Sequence, residues 1–159
     1  MEPDFLSLKR LLEMQPVDYE IICHTEPIRS AQQGAEFLGI AIGQTAPVLI
    51  VDTDQGYRAV AMSGDRRRLD FAALARCLEC QRVAMASRDD VKRLTGHTPG
   101  DLPLVGLELP YVLDTRLHAY SFVYGGTGFP GSTLKIEPAA LEKLNQVVGR
   151  LGTGDDYVL

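Results

Sequence analysis

The spacing of apolar residues along this chain predicts five helices. Between Asp4 and Met14 the apolar side chains lie three or four positions apart, which places them on one face of a helix. Ser30 and Ser87 suit the N-cap position of two further helices, and Ser87 is followed three residues later by Asp90. The predicted helices cover Asp4–Met14, Ala31–Leu38, Asp70–Cys80, Ser87–Gly96 and Glu137–Val148.

Shorter runs rich in Val, Ile and Tyr predict strands between these helices. The segment Thr53–Gly56 separates two such runs and has glycine in the turn, which predicts a hairpin. The predicted strands are Tyr19–His24, Pro47–Asp52, Tyr57–Met62, Arg82–Ala86, Tyr111–Leu113, Ser121–Tyr124 and Thr133–Ile136. Because strands and helices alternate without a repeat or a linker, we expect one α/β (α+β) domain. Its sheet is expected to be mixed, mainly antiparallel and barrel-like, with helices around it.

Length and composition agree with a single globular domain. The 159 residues are 45% hydrophobic and 23% charged, values typical of folded proteins rather than of disordered or coiled-coil chains. We expect an N-terminal helix over residues 1–16, a domain over residues 17–150 and a polar tail over residues 151–159. No apolar run has the length of a membrane helix, and the acidic N-terminus differs from a secretory signal. These features predict a cytoplasmic protein without a membrane partner.

The charge is distributed unevenly. The formal net charge is −5, which by itself argues against a nucleic-acid partner. Between Arg58 and Arg93, however, nine basic residues face five acidic ones, giving this window a local charge of +4. Either the window is a solvated basic face or it forms a local anion site.

Three cysteines do not form a disulfide framework, but Cys77 and Cys80 have the spacing of a redox or zinc pair. The pair falls at the C-terminal end of a predicted helix, whereas redox pairs use a helix N-terminus to lower the thiol pKa. Two small buried hydrophobes explain the spacing adequately, and a redox protein remains an alternative.

No familiar catalytic constellation is present. His24, His97 and His118 fall on separate elements, and no Gly-x-Ser-x-Gly elbow, metal-ligand cluster or nucleotide-binding loop occurs. We therefore expect neither a metal nor another cofactor. Two glycine-rich loops, Gly96–Gly106 and Gly125–Gly128, would let backbone N–H groups approach a carboxylate, a phosphate or an oxyanion closely.

An ordered set of motifs resembles the YbaK/EbsC family, which includes the editing domain of prolyl-tRNA synthetase and free-standing aminoacyl-tRNA deacylases. The similarity runs from about Val17 to Val147. It rests on His24 with Ala35–Gly39, Gly43–Ala46, Met62–Asp70, Leu94–Gly100, Val105–Leu107, Val112–Asp114, Gly125–Thr127 and Pro138–Leu144.

Two positions depart from the family pattern. Family members usually carry a lysine on the strand after the first helix of the domain, and Pro47 stands in its place. The family loop often reads Gly-x-x-x-Pro, whereas Gly100 is followed by Pro103 and then Leu104. The scaffold is therefore matched better than the catalytic signature.

The resemblance implies hydrolysis of the ester that joins a mischarged amino acid to the 3′ end of tRNA. Backbone amides of Gly100, Gly125, Gly126 and Thr127 would stabilise the oxyanion, and the Thr127 hydroxyl would position water. The ribose hydroxyl of the substrate would assist, and pocket size would select small amino acids.

Further residues receive expected roles from the same resemblance. Substrate would contact His24, Met62 and Ser63, while Arg58 and Lys135 are candidates to replace the missing lysine. The tRNA phosphates would contact Arg66, Arg67 and Arg68, and an aminoacyl-tRNA synthetase is a possible partner, whereas DNA is not expected. The alternative is a catalytically impaired module that binds an amino-acid-like or nucleotide-like ligand or a protein, a reading that Pro47 favours.

Overall fold

The computed structural model describes residues 5–66 and 68–152, in which we find five α-helices and nine strands. The helices are α1 (Phe5–Glu13), α2 (Ala31–Leu38), α3 (Phe71–Leu78), α4 (Arg88–Thr95) and α5 (Pro138–Leu144). The strands are β1 (Tyr19–Cys23), β2 (Thr45–Ala46), β3 (Val48–Thr53), β4 (Gly56–Ala61), β5 (Val83–Met85), β6 (Tyr111–Asp114), β7 (Val123–Gly126), β8 (Ser132–Ile136) and β9 (Val147–Leu151).

The strands form two mixed sheets in one α/β domain. The first sheet has the order β1-β8-β7-β2 and the second the order β5-β3-β4-β6-β9. Among the described strands, four pairings are antiparallel and three are parallel. The prediction of a mixed, mainly antiparallel single domain is confirmed, but the strands do not close into a barrel.

The second sheet is buried on both faces because its central strands are apolar at successive positions. In β3, Ile50 belongs to the main core between the sheets, whereas its neighbour Val51 belongs to a second cluster beneath α3. Strand β6 repeats this alternation, with Tyr111 in the main core and Val112 in the second cluster. The two-residue period of a strand thus divides one hydrophobic run between two cores.

Local capping fixes several helix ends as predicted. The Ser30 side chain accepts a hydrogen bond from the Gln33 amide at the start of α2, and the Ser87 side chain caps α4 in the same way. Both helices end at a glycine in the left-handed conformation, Gly39 for α2 and Gly96 for α4.

The C-terminal region differs from the prediction. Helix α5 ends at Leu144, and Val147–Leu151 forms β9, which pairs in parallel with β6. The predicted helix to Val148 is therefore wrong, because pairing with a distant strand replaced local helix formation. Of the predicted polar tail, Leu151 is buried in β9, and residues 153–159 lie outside the described residues.

A buried ion pair joins the chain after β4 to the end of β6. The Arg66 guanidinium donates two hydrogen bonds to the Asp114 carboxylate, at 2.7 and 2.9 Å. The same carboxylate accepts from the amides of Ser63 and Arg116. Arg66 also donates to the carbonyl oxygen of Gly152, so this pair ties together three parts of the second sheet and its connections.

Among the described residues, no helix is long and apolar enough to cross a membrane.

Candidate functional site

A cavity of about 280 Å³ lies at the junction of the two sheets. One wall is the loop before α2 together with α2 itself, and the opposite wall is formed by the two glycine-rich segments. Its lining consists of His24, residues 27–31, Gly34, Leu38 and residues 45–49, 99–102 and 124–133. The structure therefore brings together five of the predicted site residues: His24, Gly100, Gly125, Gly126 and Thr127.

Gly125 and Gly126 allow the loop that contains Leu102 and Leu104 to pack directly on the end of β7. A Cβ atom at Gly126 would lie 2.4 Å from the Leu102 carbonyl oxygen, and one at Gly125 would lie 2.8 Å from a Leu104 methyl group. The Leu104 amide donates to the Gly126 carbonyl oxygen at 2.9 Å. These glycines thus have a packing role that the sequence did not reveal, in addition to the backbone they present to the cavity.

The loop that carries Gly100 is also anchored by Tyr111. Its hydroxyl donates to the Pro103 carbonyl oxygen at 3.1 Å, and burial raises the pKa of this phenol. The loop that carries Gly100 is therefore held to β6 as well as to β7.

Gly100 differs from Gly125 and Gly126 because no packing explains it. A Cβ atom there would meet no heavy atom within 4 Å, and its backbone does not adopt a left-handed conformation. It is exposed in a short 3₁₀ helix, Pro99–Asp101, and lines the cavity. A side chain at this position would occupy space next to the cavity, which favours a ligand-contacting role for its backbone.

The Thr127 hydroxyl is engaged within its own turn. It lies 2.7 Å from the Ser132 hydroxyl oxygen and 3.2 Å from the Phe129 carbonyl oxygen, and it accepts from the Phe129 amide at 3.1 Å. This set of partners uses the hydrogen-bonding capacity of one hydroxyl group, so the side chain shapes the turn. The expected water-positioning role of this hydroxyl is not supported, and only the backbone of Thr127 remains a candidate.

His24 lies at the end of β1 on the rim of the cavity. Its Nδ1 donates to the Glu26 carbonyl oxygen, and its Nε2 lies 3.1 Å from the Thr133 hydroxyl oxygen. The ring packs edge-on against Phe37, with the centroids 5.5 Å apart. The imidazole is thus fixed in orientation beside the cavity.

Pro47 lies in the cavity wall at the position where the resemblance implies a lysine. It forms the single-residue connection between β2 and β3, and its carbonyl oxygen accepts from the Met62 amide at 2.9 Å. Proline has neither a charge nor an N–H group. This part of the wall is therefore unable to donate to a ligand.

Two charged side chains of the lining were not predicted from the sequence. Among the described residues, Arg29 is the lining residue with a permanent positive charge, and Asp101 supplies a carboxylate. Arg29 is exposed in the loop before α2, where its amide donates to the Gln33 side chain. Asp101 accepts from the Thr98 hydroxyl at 2.6 Å. Neither residue has a distinctive sequence context, so only the assembled cavity identifies them.

His97 connects the two glycine-rich walls from behind. Its Nδ1 donates to the Gly128 carbonyl oxygen at 2.8 Å, and its ring packs edge-on against Phe129. Burial lowers the pKa of His97, which is the largest influence on this group, and the Gly128 carbonyl only partly opposes it. The imidazole is therefore held neutral as a structural link.

Met62 and Ser63 do not line the cavity, so the structure gives no support to the prediction that they contact substrate. Met62 is buried in the second hydrophobic cluster, beneath α3. The Ser63 hydroxyl lies 2.7 Å from the Gly43 carbonyl oxygen, and its amide donates to Asp114. Both residues stabilise the passage from β4 to α3.

The two proposed replacements for the lysine also lie elsewhere. Arg58 donates to the Tyr57 carbonyl oxygen at 3.0 Å near the β3–β4 hairpin. The Lys135 ammonium lies 4.5 Å from the centroid of the Phe122 ring, in a cation–π contact. Neither lines the cavity, so neither occupies the place that a substitute requires.

The three predicted phosphate-binding arginines are not equivalent. Arg66 has no exposed side-chain surface and is paired with Asp114, so the prediction that it contacts tRNA is wrong. Arg68 is exposed, and Arg67 lies outside the described residues. The basic window is also partly neutralised, because Arg93 pairs with Asp90 at its end.

Cys77 packs as a small apolar side chain. A Cβ atom at Gly149 would lie 2.7 Å from the Cys77 sulfur, so α3 and β9 approach each other closely here. Within residues 5–66 and 68–152, no group of three or more His, Cys, Asp or Glu side chains could hold a metal ion.

Comparison with known proteins identifies a family and a set of structural neighbours. Residues 25–144 match the family described as Aminoacyl-tRNA editing domain. The proline--tRNA ligase of Trichlorobacter lovleyi is 30% identical over 105 residues, covering 64% of this chain and 18% of that protein. The corresponding ligase of Geobacter metallireducens is 32% identical over 99 residues, covering 62% and 17%. The chain thus spans less than a fifth of these relatives.

Two solved structures share the whole fold. The crystal structure of hypothetical protein APE2540 superimposes with a TM-score of 0.83 at 25% identity, covering 92% of this chain and 97% of that one. The structure of a candidate trans-editing enzyme for prolyl tRNA synthetase has a TM-score of 0.78 at 26% identity, with coverage of 94% and 97%. These matches confirm the resemblance that the sequence motifs indicated.

Proposed function

We propose, from the premise that this chain belongs to the family of aminoacyl-tRNA editing domains, that it deacylates mischarged aminoacyl-tRNA as a separate hydrolase. The observation that carries the proposal is the cavity, which is walled by both glycine-rich segments and into whose border Gly100 places an uncovered backbone. We expect the protein to meet this substrate in the cytoplasm.

The reaction requires positioning rather than a strong nucleophile, because the aminoacyl ester is already activated. Backbone amides of Gly100, Gly125, Gly126 and Thr127 stabilise the oxyanion that forms when water attacks the carbonyl carbon. The neighbouring ribose hydroxyl of the substrate takes a proton from the attacking water and passes its own to the ester oxygen that leaves the carbonyl carbon, which needs only correct orientation. The products are the free amino acid and the uncharged tRNA.

Arg29 supplies the positive charge that Pro47 cannot. It lines the same cavity as the glycine-rich wall, and we expect it to contact the sugar–phosphate end of the substrate. Asp101, in the opposite wall, is suited to the α-ammonium group that every aminoacyl ester carries. The two side chains therefore orient a substrate that is anionic at one end and cationic at the other.

The size of the cavity favours small amino acids. A volume of about 280 Å³ must hold the aminoacyl group and part of the ribose, so we expect the cavity walls to limit the size of the amino-acid side chain. Selection by an apolar pocket is modest, about 10- to 200-fold per methylene group. A synthetase partner would add selectivity for the tRNA.

Contact with the remaining tRNA is electrostatic. Arg68 is exposed three residues before α3, where it can meet phosphates, and the same role for Arg67 rests on the sequence alone, because that residue lies outside the described residues. Each phosphate contact releases counterions from the RNA and makes affinity fall more steeply with salt concentration, so binding should weaken as ionic strength rises.

The deciding experiment is deacylation of a panel of mischarged tRNAs by the purified protein. Turnover of at least one small aminoacyl ester, with loss of turnover in Arg29→Met, supports the enzyme. Binding of the same tRNAs without turnover supports the second candidate, a module that binds the aminoacyl end and has lost activity. Pro47 in the cavity wall is the observation that favours this second function.

A further inference from the structure

Helix α2 presents an aromatic ring to solvent beside the cavity. Phe37, in its last turn, is 59% exposed. Its one ring contact is with His24, whose imidazole lies on the cavity rim. The ring is thus held in place next to the cavity without being covered.

Phe37 forms one side of a groove that continues from the cavity. The groove has a volume of about 430 Å³ and is lined by residues 25–28 with Gln33, Glu36 and Phe37. Pro27 and Ile28 line both the groove and the cavity. The groove and the cavity therefore adjoin each other at these two residues.

The chemistry of the groove excludes a phosphate and suits a base. Its lining contains Glu26 and Glu36 and lacks an arginine or a lysine, so it repels an anion. An exposed aromatic ring provides a stacking surface, and carboxylate and amide side chains accept hydrogen bonds from an exocyclic amino group. A flat, neutral heterocycle with such a group matches both features.

We propose that this groove binds the base of the 3′-terminal adenosine of tRNA, stacked on Phe37. The inference rests on the proposed function, because the ester in the cavity is attached to the ribose of that nucleotide. Its base must therefore lie within one nucleotide of the cavity, and the groove adjoins the cavity at Pro27 and Ile28. Specificity for an RNA end would thus come from stacking as well as from charge.

The test measures binding rather than turnover. An uncharged RNA microhelix with the acceptor-stem end of a tRNA is titrated against wild type, Phe37→Ala and Phe37→Tyr. Each protein is also titrated with the same microhelix carrying an abasic terminal nucleotide. Loss of a stacked base typically costs about 5- to 150-fold in affinity. We expect that loss for wild type on removing the base and for Phe37→Ala on the intact RNA, with Phe37→Tyr close to wild type.

The combination of variant and RNA separates stacking from general damage. Phe37→Ala should show no further loss with the abasic RNA, because the partner of the ring is already absent. Phe71→Ala, the same substitution at a partly exposed phenylalanine of α3, is the matched control and should leave both affinities unchanged.

Three outcomes overturn the inference. These are equal binding of intact and abasic RNA by wild type, an equal loss in Phe37→Ala for both RNAs, and no measurable RNA binding. The deacylation panel judges the proposed function separately. Turnover that does not depend on the terminal base would leave the enzyme standing and remove only the stacking site.

Discussion

The Arg66 guanidinium and the Asp114 carboxylate meet through two hydrogen bonds at a site where neither side chain is exposed. The carboxylate accepts four hydrogen bonds in all, two from the guanidinium and two from backbone amides. Removing either partner leaves a buried charge uncompensated, which is costly even where the intact pair adds little.

We therefore expect Arg66→Met and Asp114→Asn each to destabilise the protein by about 3–5 kcal/mol. Chemical denaturation followed by circular dichroism measures this loss. Arg93→Met removes the exposed pair with Asp90 and should change the midpoint little, because exposed pairs are screened by solvent. Similar losses in all three variants would contradict a special role for the buried pair.

Stability should depend on pH through His97. Burial lowers its pKa in the folded protein, so the unfolded chain binds more protons at mildly acidic pH. The free energy of unfolding should therefore fall as the pH drops below about 6.5, the ordinary pKa of histidine, and be level above it. His97→Asn keeps a donor for the Gly128 carbonyl oxygen but does not titrate.

Unfolding by denaturant between pH 5 and pH 8 measures this dependence in wild type and His97→Asn. The carboxylates of Asp90 and Glu142, whose pKa values are lowered chiefly by hydrogen bonds from arginines, act at more acidic pH and leave this window clear. If the free energy of unfolding has the same slope against pH in both proteins, a group other than His97 is responsible.

Alanine should lower the stability of the protein at one glycine of the cavity wall and leave it unchanged at another. Gly126→Ala places a methyl group 2.4 Å from the Leu102 carbonyl oxygen, so the loop must shift, at a cost of about 1–3 kcal/mol. Gly100→Ala meets nothing within 4 Å and should leave the thermal midpoint unchanged.

Gly100→Ala should nevertheless lower kcat/KM for aminoacyl-tRNA, because the methyl group borders the space of the ligand. Thermal unfolding and deacylation, measured on the same preparations, separate the two effects. Full activity in a stable Gly100→Ala protein would exclude a close approach of substrate to this backbone.

A lysine at position 47 should replace the positive charge that Arg29 supplies to the cavity. Arg29→Met should lower kcat/KM by about 10- to 150-fold, the value of one charge-assisted hydrogen bond of 1.5–3 kcal/mol. Pro47→Lys in the Arg29→Met background should recover most of the loss. Single-turnover deacylation at fixed ionic strength measures both changes. Arg58→Met and Lys135→Met are the controls, and a loss in either of them equal to that of Arg29→Met would refute the assignment.

Features that depend on neighbours in the sequence were predictable. The caps of α2 and α4 follow from Ser30, Ser87 and the glycines that end these helices, because each bond spans only a few residues. Strand β9 was not predictable in this way. Val147–Leu151 is a strand because it pairs with β6, more than thirty residues earlier, and this pairing is not a local property of the sequence.

In the candidate site, too, features set by neighbouring residues were predictable and features set by distant residues were not. The two glycine-rich loops could be identified from the sequence because glycine lets the backbone approach a ligand closely, and both loops line the cavity. Arg66 resembled a solvated cation in the sequence, since its partner Asp114 lies 48 positions away. Arg29 attracted no notice, because its importance depends on facing a wall formed by residues 99–102 and 124–133.

Pro47 also has a mechanical consequence. It is the only residue between β2 in the first sheet and β3 in the second, so a change in the angle between the sheets must pass through it or through longer loops. Its ring locks φ near −65°, which removes one of the two soft torsions of this joint. The residue that stands in place of the family's lysine therefore also stiffens the connection between the two sheets beside the cavity.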